Sequence, residues 1–147
     1  MAFNYDWIVP GLAQGNFPGD TRTAFKDFDV IMLCAEEHQP RWRQPKGKFI
    51  FRLPLDDDPY QPVPLDVGQV IVQNAMAAGS YHVAGHPLIT TCHQGHNRSG
   101  ICTAIILMRY YRMGAQQSID LIRKKRNDDC VGNPMFEQFL YNLSSYE

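Results

Sequence analysis

Thr91-Cys92-His93-Gln94-Gly95-His96-Asn97-Arg98-Ser99-Gly100 separates two apolar runs of different kinds. Residues 87–91, Pro-Leu-Ile-Thr-Thr, read as a short buried strand. Residues 101–108, Ile-Cys-Thr-Ala-Ile-Ile-Leu-Met, read as a buried helix that continues to Met113, where Gly114 breaks it. A cysteine, five residues and an arginine therefore occupy a turn between a strand and a helix. Backbone N–H groups point outward there, and a helix N-terminus favours negative charge. The stretch reads as an anion-binding loop with a sulfur nucleophile at its base.

Outward from this loop the strand and helix signals alternate. Residues 7–15 alternate about a Pro-Gly turn and predict a hairpin or two edge strands. Asp20 is placed to cap a short helix running to Phe28. Residues 29–34 and 49–53 are strand-like runs, joined by a loop whose latter part is basic: Arg41, Arg43, Lys46 and Lys48, with Trp42 among them. Residues 54–62 contain three prolines and three aspartates, which predicts a rigid acidic loop outside any ladder. A long helix is expected from Pro64 to His82, with Val67, Val70, Ile71, Asn74, Ala75 and Ala78 on one face. Another runs from Ala115 to Arg126 and closes on four cations, and a last one starts at Pro134. The alternation predicts an α/β fold: a central, mainly parallel sheet flanked by helices. The ligand crevice of such a sheet lies beyond the carboxyl ends of its strands. Three loops leave those ends, after Cys34, Leu53 and Thr91.

With 147 residues and no linker or repeat, one domain spanning 1–147 is expected. The net charge of -1 gives no global pull toward nucleic acid or membrane. The chain start shows no leader pattern, and no apolar run is long enough to span a bilayer. Cys34, Cys92, Cys102 and Cys130 are widely spaced and form no C-x-x-C pair, which suits a reducing, cytoplasmic setting better than disulfides or zinc. His93 and His96 have the wrong spacing for a helical metal pair, so no metal and no cofactor is expected. They are read instead as lining the pocket rim or as solvated.

Free cysteine has a pKa near ~8.5, and helix N-termini and cations lower it. Cys92 has both influences. The N–H groups of residues 93–98 form a concavity for an anion, and Arg98 offers a planar fork for two oxygens. Donors that stabilise a thiolate also stabilise the equatorial oxygens of a phosphoryl group in transfer. A carboxylic acid must protonate the leaving oxygen, and Asp57 is chosen among Asp56, Asp57 and Asp58. Ser99 is placed to hydrogen-bond the sulfur or to cap the helix.

The Cys92-x5-Arg98-Ser99 pattern resembles the signature loop of the cysteine-based protein tyrosine phosphatases, and the compact length resembles their dual-specificity branch. Residues 53–57, Leu-Pro-Leu-Asp-Asp, resemble that branch's general-acid loop, with Asp57 at the acid position. Residues 8–12 resemble its opening strand, and residues 133–139 its closing helix. The resemblance implies the family fold and a metal-free phosphomonoesterase working through a cysteinyl-phosphate. It implies Cys92 as nucleophile, Arg98 and the 93–98 amides (His93, Gln94, Gly95, His96, Asn97) as the phosphate cup, Asp57 as acid then base, and Ser99 as partner of the sulfur. Thr91 stands where the family usually has histidine. Residues 33–36 resemble the phosphoinositide-phosphatase branch, which implies Cys34 as a redox partner of Cys92. A phosphorylated protein is the expected substrate. The alternatives are a phosphoinositide or RNA 5′-phosphatase, with the basic loop drawing polyanions, and a non-catalytic phospho-binding module. Low-molecular-weight phosphatases and arsenate reductases carry their loop near the N-terminus, unlike this chain.

Overall fold

The structure, a computed structural model, describes residues 2–145. Ten elements follow in order: β1 (Tyr5–Val9), β2 (Leu12–Asn16), α1 (Thr21–Ala24), β3 (Val30–Ala35), β4 (Phe49–Leu55), α2 (Leu65–Val83), β5 (Leu88–Cys92), α3 (Arg98–Tyr110), α4 (Ala115–Lys125) and α5 (Pro134–Ser144). The strands form one sheet in the order β1-β2-β5-β3-β4. Only β1 and β2 are antiparallel, joined by a turn with Gly11 at φ +84°. The other pairings are parallel, so β3, β4 and β5 end at one edge.

Side-chain alternation divides the interior. Val30, Met32 and Cys34 of β3 face the helical layer with Leu88 and Cys92, while Ile31, Leu33 and Ile89 face a smaller cluster with Ala13, Ala24 and Phe28. Both faces of β3 and β5 are covered, which is why β3 runs wholly apolar and why the two buried threonines of β5 spend their hydroxyls on Thr103 and the Met32 carbonyl. Helix α3 crosses under the sheet and is buried from Arg98 through Met108. The acidic loop and α5 close the layer beside it.

Four expectations on the elements need correction. Helix α1 is four residues long and stops well before Phe28. Phe28 is instead buried against the rings of Tyr5 and Trp7, which turns the chain into β3. Strand β4 runs through Pro54 to Leu55. It is an edge strand, where a proline's missing N–H leaves no neighbour unpaired. Helix α3 ends at Tyr110, because Arg112 takes φ +55° and the Tyr111 hydroxyl bonds His82 Nε2 at 2.7 Å. Val70 lies on the solvent side of α2, 46% exposed; Gly68 and Gly79 join the buried face. A Cβ on Gly79 would lie 2.5 Å from the Tyr110 ring, so a glycine permits the close approach of α2 and α3.

Candidate active site

Cys92 closes β5 and Arg98 opens α3, so the intervening residues wrap the positive end of that helix. Gly95, at φ +77°, makes the wrap possible. Among the described residues, none of the hydrogen bonds made by residues 94–97 uses a backbone N–H of these residues as donor. These groups remain for a guest. Cys92 Sγ lies 3.3 Å from Ser99 Oγ, and both residues are buried. Ser99 sits inside the first turn of α3, where Asn97 is the cap, so its capping role is not realised.

Arg98 is 7% exposed and reaches back under the loop. Its two terminal nitrogens grip the Glu37 carboxylate at 2.5 and 2.8 Å, and one also donates to the Leu55 carbonyl at 3.0 Å. Its Nε is buried without a partner, a donor left for an anion. Burial works against the Arg98 charge, but the Glu37 fork and the neighbouring Cys92 and Asp57 outweigh it and raise its pKa. The same fork holds Glu37 down to about 2. Glu37 was not singled out from the sequence; it lies 61 residues from Arg98.

A depressed carboxylate pKa stabilises the fold while the unfolded chain binds more protons. The Glu37 contribution is therefore complete above its ordinary value of 4.5 and fades as pH falls toward about 2. Urea midpoints measured from pH 6 to pH 2.5 should fall more steeply for the native chain than for Glu37→Gln. Parallel curves would count against a linked pair.

Asp57 is the aspartate that the fold ties to the loop. Its Oδ2 accepts from Asn97 Nδ2 at 3.0 Å and its Oδ1 from Asn133 Nδ2 at 2.7 Å. Asn133 also caps α5, so one side chain links Asp57 to that helix start. Asp56 is exposed, and Asp58 is turned to the N–H of Tyr60 at 2.8 Å. Neither Asn97 nor Asn133 had been assigned an orienting role.

The back of the loop is held by two side chains that local sequence did not mark. Arg126 donates to the Gly95 carbonyl at 2.7 Å, the Gln94 carbonyl at 3.0 Å and Asp6 at 2.9 Å. Buried Gln14 donates to the Gly95 carbonyl at 3.0 Å. The loop carbonyls thus point inward and are satisfied, which turns the amides out. Adding a Cβ at Gly95 would put it 2.4 Å from the Gly15 backbone and 2.7 Å from Arg126. Gly95→Ala should lower unfolding free energy by about 3 kcal/mol or more, from combined strain and overlap. A chemical-denaturation midpoint unchanged from the native chain would contradict this geometry.

The histidines separate. His96 is tied to Asn127 at 2.9 Å, and burial and Arg126 lower its pKa. His93 is exposed and meets His38 of the loop after β3 at 2.9 Å. Cys34 Sγ touches Cys102 at 3.7 Å; that hydrogen bond, then burial, pushes its pKa well up. The pairing of Leu33 with Thr91 still places Cys34 and Cys92 one step on, in neighbouring strands. Thr91 donates to the Met32 carbonyl at 2.8 Å, joining β5 to β3. The basic loop divides. Lys48 pairs with Asp29 at 2.8 Å at the amino ends of the strands, away from the site, because β4 starts there. Trp42 instead stacks on Phe17, next to His38. Arg41 and Arg43 flank Trp42 in sequence and are exposed, as is Lys46 in the Pro45–Lys48 turn that leads into β4.

No protein-family model and no curated protein matches the sequence, whereas solved structures match the fold along nearly its whole length. The crystal structure of human DUSP28 superposes with a TM-score of 0.76 at 19% identity, covering 97% of this chain and 93% of that one. Tk-PTP in its active form gives 0.80 at 16% identity, covering 97% of each chain. The human tyrosine phosphatase-like serine/threonine/tyrosine-interacting protein gives 0.77 at 14%, covering 97% of this chain and 96% of that one. At these identities the likeness is one of fold. The architecture is the protein tyrosine phosphatase-like α/β fold of dual-specificity size.

Proposed function

We propose that residues 1–147 form one catalytic domain that hydrolyses phosphomonoesters through a cysteinyl-phosphate, in the manner of a dual-specificity or tyrosine phosphatase. The observation that carries this reading is the meeting of a buried sulfur, a ring of unspent amides and the unpartnered Nε of Arg98 in one loop. Residues 93–98 and Arg98 receive the phosphoryl oxygens. The Cys92 thiolate attacks phosphorus, the ester P–O bond breaks, and Asp57 gives its proton to the leaving oxygen. Water then attacks the phosphocysteine while the Asp57 carboxylate takes its proton. The P–S bond breaks and the departing sulfur receives a hydrogen bond from Ser99. Each Asp57 oxygen keeps a second lone pair beside its amide contact, which leaves room for the transferable proton.

Acid quenching during turnover of p-nitrophenyl phosphate, followed by peptide mass mapping, should find phosphate on Cys92 alone. No covalent phosphate together with no hydrolysis would favour a phospho-binding module instead. A phosphorylated protein is the proposed substrate, and a panel of phosphopeptides, phosphoinositides and 5′-phosphorylated RNA tests that choice. Free, buried cysteines suit the proposed reducing, cytoplasmic setting. No helix of the described residues is long and apolar enough to cross a membrane. Cys34 is proposed as a reversible disulfide partner of Cys92, in competition with its neighbour Cys102. Mapping after mild peroxide that yields only overoxidised Cys92 would remove that role.

A further inference from the structure

His38 and His93 come from different loops, 55 residues apart, and meet at the mouth of the site. Their rings lie 12° from parallel with centroids 5.2 Å apart, and Nε2 of His38 stands 2.9 Å from Nδ1 of His93. That separation equals two ring radii plus one hydrogen bond, so the rings are side by side and their nitrogens face each other. Glu37 adds a carboxylate, and the three ligand atoms all lie within 4.8 Å of one another. His38 is held in place from behind: its ring stacks on Phe17 at 4.2 Å and 7°, and Phe17 in turn stacks on Trp42. Glu37 is held by Arg98.

We propose that His38 Nε2, His93 Nδ1 and a Glu37 oxygen form a Zn2+ site that staples the loop after β3 to the loop after Cys92. Two imidazoles and one carboxylate are a common zinc donor set, with the fourth position open to water. Tetrahedral bonds of ~2.0–2.1 Å need the two nitrogens about 3.3 Å apart and each ring turned by about 35° from the line that now joins them, a movement that the exposed His93 side chain and the half-buried His38 must share. The hydrogen now shared between the rings moves to the far nitrogen of its own imidazole, so neutral histidines remain as ligands. Glu37 need not leave Arg98, since each carboxylate oxygen has two lone pairs and can bridge. The Arg98 fork then serves as the outer support that metal-bound carboxylates usually have. The site does not rest on the hydrolase reading, because binding is measured without turnover.

The test is calorimetric titration of Zn2+ into Cys92→Ser protein, which removes the sulfur as a competing ligand. One ion per chain is expected. His38→Gln and His93→Gln, each made in that background and checked for an unchanged melting temperature, should each weaken binding at least about tenfold. Co2+ in the same protein should give the visible absorption of a tetrahedral nitrogen–oxygen site without a sulfur charge-transfer band. Absence of binding in the Cys92→Ser protein overturns the site. So does affinity that neither histidine variant changes.

Discussion

Cys92→Ser should reduce phosphomonoester turnover to the background of the uncatalysed reaction while leaving oxyanion binding in place. The serine hydroxyl is a far weaker nucleophile at neutral pH, and nothing in the loop would deprotonate it. The amides of residues 93–97, Arg98 and the Gln14 and Arg126 supports are untouched by the change. Vanadate or tungstate titrated against the variant should therefore bind, with an affinity within about tenfold of the native chain. Steady-state hydrolysis of p-nitrophenyl phosphate and calorimetry with tungstate read the two halves separately. Appreciable turnover in this variant would exclude sulfur as the nucleophile. Loss of tungstate binding with the fold intact would mean that Cys92 builds the cup rather than attacking from it.

The second large effect is expected at Asp57. Replacing it by asparagine should cost on the order of 10²–10⁴ in kcat for esters with poor leaving groups. The loss should shrink toward nothing for an ester whose leaving oxygen departs without a proton. That contrast matters because Asp57 also has a structural part. It accepts amide hydrogens from both Asn97 and Asn133, and an asparagine there would set one NH2 against another. A displaced loop would slow every ester alike and would show in tungstate affinity. A graded dependence on the leaving group belongs to an acid. If kcat barely moves for any ester, the acid is elsewhere. Asp56 and Asp58 would then be tested in turn, although Asp58 is committed to the Tyr60 N–H.

Much of the fold follows from short-range signals. The β-branched run before Cys92, the alternating faces of residues 30–34 and the proline at the start of α5 each act over a few residues. Such signals are legible because pleat and helix periods are local. The acidic loop is legible for the same reason, but a proline does not by itself end a strand. Pro54 sits in a strand because β4 has an open edge, and strand order is a tertiary fact. Lys48 shows the converse error. It reads as one of a basic cluster, yet the direction of β4 carries it to the opposite end of the sheet from Trp42.

By itself the sequence determined the strand–turn–helix unit, and with it the placing of Cys92 and Arg98 at its two ends, because five residues across one tight turn leave little choice. It also determined that an aspartate-rich loop follows an earlier strand. Tertiary structure alone decided which carboxylate grips Arg98, which amides orient Asp57, what holds the loop carbonyls inward and which histidine faces His93. Those contacts join residues 61, 76, 31 and 55 positions apart. No local period or propensity encodes such pairs. They exist because a parallel sheet brings the carboxyl ends of distant strands to one edge, where their loops must pack against each other.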